Sequence, residues 1–307
     1  MDQPAWDGRS YYGETQLRAA PFNNPLVGSY IFLAGLSGAA QLLATLFDRA
    51  QGAGAAPTVR RGRYLAMLAP TLGTLCLILD LHTPHRFYNM LRVVKSTSPM
   101  SLGSWGLVGF SAASAVTAAL QFVTDRLRWS WPRGLARVTQ LPAALAGGFI
   151  GTYTASLLSA TSTPLWAAAP KSLAVRFASS AVASAAAALR LGERNGRSRR
   201  NLDSIAIGAL AVELAATLAS EDAQRHAGIA QTPRLETQLD NTLPLVLLLA
   251  SALLPGRLGR GISAIGSLAV LGGGLAMRIG VLSHGDQSAS QPRQSLRFAQ
   301  PDNLPRS

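Results

Sequence analysis

The chain has 307 residues, 48% of them hydrophobic and 14% charged, with a formal net charge of +13. Charged residues make up about a quarter of an ordinary soluble domain, so this composition excludes a plain soluble globule and points to a membrane protein. The single cysteine, Cys76, excludes internal disulfides and any iron–sulfur or zinc site held by this chain alone, since such sites take about four ligands.

The net charge raises the question of nucleic acid, but the cations stand between apolar runs rather than on one face. That pattern reads as topogenic charge and contact with anionic lipid headgroups, so no nucleic-acid partner is expected. Residues 1–24 are polar and contain WDGRSYYG. They show no Lys/Arg-led apolar segment with a cleavage site and are read as a retained leader outside the membrane.

Apolar runs of about 17 to 25 residues, the length that crosses a hydrocarbon core, then recur along the chain. The first is expected from about Pro25 to Phe47, with Gly35 and Gly38 leaving room for close helix contact. The second, about Tyr64 to Leu81, delivers Asp80 to the membrane boundary. A loop rich in functional groups follows: DLHTPHRFYNMLRVVKSTSPMSLGSW, residues 80–105, holds His82, His85, Arg86, Arg92, Lys95 and the aromatic pair Phe87 and Tyr88.

The third span runs from about Ser101 to Val123, and the fourth from about Leu141 to Leu158, with Trp129 and Trp131 between them at the expected headgroup level. The fifth, about Leu173 to Leu191, is rich in Ala and Ser and has Arg176 in its first turn. After the basic stretch GERNGRSRRN comes the sixth, about Leu202 to Leu218, with Glu213 well inside it. The seventh centres on LPLVLLLASALLP and is long enough only if it extends toward Gln238 and Leu258. The eighth, about Ile262 to Leu282, carries Arg278, and residues 283–307 form a polar tail.

The expected architecture is therefore all-α, a polytopic bundle of about eight transmembrane helices over residues 25–282. Eight spans put both termini on one side. The loops after spans one, three, five and seven hold more Lys and Arg in fewer residues than the rest of the extramembrane chain. By the positive-inside rule those loops are cytoplasmic, which places residues 80–105 and both termini outside a cell (inner) membrane.

Asp80, Leu81, Pro84, Arg86, Phe87, Asn89 to Leu91, Ser98 to Ser101 and Gly103 to Trp105 stand in the order found in one family of membrane subunits. On these residues the chain resembles the polysulfide-reductase/NrfD type, from whose form His82, Thr83 and His85 depart. YIFLAGLSG from Tyr30, the pair Tyr11 and Tyr12, Tyr153 in GTYTASLL, and Pro164 with Trp166 are similar to further motifs of that family. Ala160 stands where a polar Asp or Asn is usual there.

The resemblance implies a membrane anchor that reacts with a quinone or quinol (menaquinone or ubiquinone). It also implies two separate partners, an iron–sulfur electron-transfer subunit and a catalytic molybdopterin-type subunit. In the family, quinol binds near the docking face, with a tyrosine of the fourth helix and polar residues of the first among its contacts. That implies Tyr153, with Asn23 and Asn24, for the quinone. Arg86, Arg92, Lys95 and Trp105 are the residues expected to meet the partner.

Side-chain chemistry bears on the same roles. A two-electron carrier that exchanges two protons needs an apolar slot, a hydroxyl or imidazole donor, and a carboxylate or His in reach of water; Tyr153, His82 and Asp80 are of these types. An alternative use for the intramembrane charges is structural: Glu213 or Asp80 pairing with Arg278 to hold helices together. Tyr153 also reads as an ordinary tyrosine bridging two helices. No haem is expected, because His82, His85, His226 and His284 fall in loops or at span ends, whereas membrane haems take histidines facing from inside helices. A purely structural anchor stays open on the sequence, and a transporter or proton channel fits less well because most span interiors are Ala, Leu, Gly and Ser.

Overall fold

The computed structural model describes residues 17, 25–81, 84–92, 94–127, 129, 131–229, 238–254 and 256–299. Its helices in chain order are α1 (Pro25–Gln51), α2 (Ala56–Asp80), α3 (Pro99–Leu127), α4 (Trp131–Ser159), the single turn α5 (Pro164–Ala167), α6 (Pro170–Leu191), α7 (Gly196–His226), α8 (Leu243–Leu253), α9 (Gly256–Ser290) and α10 (Pro292–Phe298). No strand occurs among the described residues. Proline opens α1, α3, α5, α6 and α10, a position where its missing N–H is one of the donors a helix start leaves unpaired anyway.

Six apolar helical stretches are long enough to cross a membrane, and the first of them, Pro25–Asp80, is the hairpin of α1 and α2 turned by a 3-10 segment at Gly52–Ala55. Gly62 lies against Ala44 and Gly73 against Tyr30 and Leu33, so the two helices run antiparallel along their whole length. Counting the hairpin as two helices and adding the shorter α8 stretch, eight helices correspond in order to the eight expected spans.

The seventh-span expectation changes in detail at α8. A π-type turn at Gln238–Thr242 leads into α8, which stops at Leu253, and Leu239–Leu253 is the whole apolar stretch. At about 1.5 Å per residue it is shorter than a hydrocarbon core of about 30 Å. The chain reverses at Gly256, whose φ of 75° favours glycine, and α9 runs back beside α8, with Gly266 against Leu247 and Leu248.

Elsewhere the helices overrun the predicted spans. α4 starts at Trp131 rather than near Leu141, and α9 continues to Ser290 past Leu282. Helical hydrogen bonding does not stop where apolar side chains do, so polar turns such as PRGLARVTQ remain helical beyond the hydrocarbon.

Helices α1 to α4 pack together, as do α6 to α9, and the two groups meet through α1 and α4 against α6 and α9. Backbones touch at one crossing inside the first group: a side chain on Gly38 would collide with the Gly147 carbonyl, and one on Gly147 with Gly38. That is the close approach small residues permit in membrane bundles.

The outward pattern confirms the solvent. Leu68, Leu72, Leu75 and Leu79 form a helical stripe on α2, each more than half exposed, so apolar surface faces outward as lipid requires. Gly28 packs against Ile279, which brings the start of α1 and the far part of α9 to the bundle end that also holds Asp80 and Pro99. We call this the loop end. The opposite end, where the short connections at 52–55, 128–130, 192–195 and 254–255 lie, is the turn end.

Candidate functional site

At the loop end, the motif Ser98–Trp105 is explained by helix-start chemistry. Ser98 accepts from the backbone N–H of Ser101 at 3.4 Å, Pro99 follows it, and the Ser101 hydroxyl accepts from the N–H of Lys95 at 3.0 Å. Gly103 lies under the Tyr153 ring, where any side chain would collide with it. The Tyr153 hydroxyl donates to the Pro99 carbonyl at 2.7 Å, tying α4 to the first residue of α3. Phe149 packs at 5.5 Å between ring centroids, and Tyr30 of α1 lies nearby.

Asp80 is the last residue of α2 and is half-buried. It lies two turns beyond Gly73, about 10 Å of helix rise past the level of Tyr30. From there a 3-10 segment, Pro84–Leu91, carries Arg86 outward, and Arg92 and Lys95 follow it; all three are exposed. Phe87, Tyr88, Val94, Met100 and Trp105 are exposed beside them. Asn23, Asn24 and His82 lie outside the described residues.

Deeper in the bundle is a layer of buried charge. Arg278 is 1% exposed, held between the rings of Phe32 and Phe177 at 5.5 and 5.4 Å. Its guanidinium donates to the carbonyls of Gly274 (2.7 Å) and Phe177 (3.3 Å) and to the Ser180 hydroxyl (3.2 Å). Glu213, 2% exposed, faces Arg176 and Arg278 and is set against Ser180 and Asn241. Asn241 in turn donates to the Leu210 carbonyl at 3.1 Å, fixing the turn before α8. Glu213 is thus the carboxylate that answers Arg278 in an interior where a lone charge is costly.

The turn end carries a second polar layer. Arg63 of α2 donates to Gln140 (2.6 Å) and Gln121 (2.6 Å) and lies 3.5 Å from Asp48, while Gln140 donates to Asp48 at 2.9 Å. Four helices, α1 to α4, are joined by this one cluster. Beside it Glu193, in the α6–α7 turn, accepts from the Thr58 hydroxyl and from the N–H groups of Arg194 (2.8 Å) and Asn195 (2.9 Å). Burial alone would raise the Glu193 pKa, but these hydrogen bonds and the Arg61 charge 3.6 Å away outweigh it and hold the carboxyl below its usual range. Arg190, Asp203 and Ser263 join α6, α7 and α9 in the same layer, at 3.2 and 2.9 Å.

Tyr30, Arg176 as a partner of the deep layer, Ser180, Asn241 and the Arg63 cluster were not singled out from the sequence. Tyr30 had a signal, as the first residue of the YIFLAGL motif, whereas nothing in the sequence sets Arg63 apart from the other cations at span boundaries.

The fold is that of an all-α multi-pass membrane protein, with a buried tyrosine held against the helix that follows an exposed aromatic and cationic loop. The profile of the polysulphide reductase NrfD family matches residues 14–220, the greater part of the chain. The chain belongs to that family and is a membrane subunit of a redox complex. No curated protein matches the sequence.

Proposed function

We propose that this chain is the quinone-reactive membrane anchor of its complex, passing electrons between a quinone or quinol and the cluster of an iron–sulfur subunit that docks on residues 84–105. A molybdopterin-type catalytic subunit would complete the complex beyond it. The observation that supports the reading is the bond from Tyr153 to the Pro99 carbonyl, which ties the candidate donor to the start of the helix that follows the cationic loop. The reading routes electrons to the partner's cluster, with loop and slot adjoining.

The side chains present fit a quinone in kind: a phenol, the ring faces of Phe149 and Tyr30, and a carboxylate at the helix boundary. A bound quinone supplies two-electron, two-proton chemistry. Tyr153 would orient a ring carbonyl with its hydroxyl, sharing or releasing the Pro99 bond, and Asp80 would hold or release a proton toward the aqueous side. His82, Asn23 and Asn24 are further candidates for the slot.

The proposed orientation has the loop end non-cytoplasmic in a cell (inner) membrane, since the turn end has the cationic connections. A reporter fused at Ser307 should read non-cytoplasmic and one at Gly196 cytoplasmic; the reverse result overturns the orientation.

A structural anchor without quinone chemistry is the second reading, favoured by the same Tyr153 bond, which satisfies the hydroxyl without any ligand. The double variant Asp80→Asn with Tyr153→Phe separates the two. Quinone-linked turnover should fall by roughly a hundredfold while the complex stays assembled. Turnover at the wild-type level would leave the anchor reading standing alone.

A further inference from the structure

The turn end contains two adjoining cavities that the redox reading does not use. One, of about 380 Å³, is lined by Arg60, Arg63, Arg133 and Arg137 together with Asp48 and Asp125. The other, of about 690 Å³, is lined by Arg60, Arg61, Arg194 and Glu193. Pro57 and Arg60 form their common wall. Six arginines therefore surround the pair against three carboxylates.

The carboxylates are already engaged. Asp48 meets Arg63 and Arg137, Asp125 accepts from Tyr64 and Gln121, and Glu193 is held by Thr58 and the turn N–H groups. Arg133 and Arg194 are exposed, one in each cavity, and their side chains have no hydrogen bond or ion pair among the described residues. Each cavity thus holds cationic capacity in excess of its own acids.

Two independent features set the depth of these cavities at a membrane surface. Trp129 and Trp131 stack at 6.4 Å beside Arg133, both more than half exposed, and such tryptophans mark the headgroup level. From Arg61 the exposed stripe Leu68, Leu72, Leu75 and Leu79 descends on one face of α2 at helical spacing. A headgroup in the cavities would have its acyl chains laid along that stripe.

We infer that the paired cavities bind the headgroup of a phospholipid with two phosphodiesters on a short linker, of the diphosphatidylglycerol type. One phosphate takes each cavity, and Arg60 stands between them. Basic pockets between helices suit such headgroups by charge, and the shared arginine gives preference for two linked phosphates over one.

The test uses the full chain, stripped by detergent exchange and then given diphosphatidylglycerol, charge-matched phosphatidylglycerol or inorganic phosphate. Lipid retained per chain and the thermal midpoint are read together. The wild type should keep about one two-phosphate lipid per chain and be stabilised by it more than by either other addition.

The double variant Arg133→Gln with Arg194→Gln should bind roughly thirtyfold more weakly, and each single variant should lose part of that. Arg86→Gln with Arg92→Gln removes the same charge at the loop end and should bind as the wild type does. Equal stabilisation by inorganic phosphate or by phosphatidylglycerol overturns the assignment. So does equal loss in the two double variants, or none in the first.

Discussion

The Arg63 cluster at the turn end and the cationic loop at the opposite end use their cations in opposite ways. At the turn end Arg63 is 4% exposed and its guanidinium is divided among Gln121, Gln140 and Asp48 on three other helices. At the loop end Arg86, Arg92 and Lys95 point away from the bundle among exposed aromatic and apolar side chains. A charge locked between helices holds a scaffold together, whereas one displayed among Phe87, Tyr88 and Trp105 can meet another molecule. The same residue type therefore means cohesion where it is buried, as at Arg63, and recognition where it is displayed, as at Arg86 and Arg92, and burial distinguishes them.

The largest effect should come from breaking the locked side. Arg63→Ala leaves the buried Gln140 and the half-buried Asp48 and Gln121 without their shared donor and should cost about 3 kcal/mol of stability. Arg92→Ala at the displayed side should stay within about 0.5 kcal/mol. Thermal or denaturant unfolding of the two variants in one detergent measures the contrast, and equal losses would erase it.

An intermediate effect is expected from reversing displayed charge. Arg86→Glu with Arg92→Glu should weaken association with the proposed iron–sulfur partner roughly tenfold, in a salt-dependent way, without changing the stability of the isolated chain. Co-purification at graded ionic strength reads this. Undiminished association would move the docking face elsewhere.

The smallest effect concerns acid. The folded pKa of Glu193 lies below its unfolded value of about 4.3. Its stabilising contribution is thus complete above that value and is lost as pH falls through the folded pKa. The stability gap between wild type and Glu193→Gln should be constant at neutral pH and shrink below about pH 4.3. A gap that instead widened on acidification would show that the hydrogen bonds to Glu193 do not favour its charged form.

Much of the architecture was legible because lipid imposes a length on apolar runs. The order of spans, Asp80 at a helix end and the prominence of residues 80–105 all follow from runs and breaks. Span α6 shows where such reasoning thins: its Ala and Ser look weakly apolar because the helix is enclosed by others, and small residues serve packing there rather than lipid contact. The Arg63 cluster was not legible for a different reason. Asp48, Arg63, Gln121 and Gln140 lie on four helices, and each alone looks like an ordinary polar residue at a span boundary. Tyr153 could be read as a residue, but its seat against Gly103 and Pro99 is a long-range contact that only packing shows.

The connections at the turn end are short, and those at the loop end are long, notably the stretches after Asp80 and after His226. This has a consequence for biogenesis. In the proposed orientation the chain can enter the bilayer as four successive helical hairpins, α1 with α2, α3 with α4, α6 with α7, and α8 with α9. Each tight cationic turn stays on the side where the ribosome works, and only the leader, the long connections and the tail are translocated. The deep charges of Arg176, Glu213 and Arg278 belong to three different helices of the last two hairpins. Arg176 and Glu213 meet within the α6–α7 hairpin, but Arg278 can reach Glu213 only when the final hairpin arrives, so completion of the second half of the bundle is coupled to the last helices synthesised.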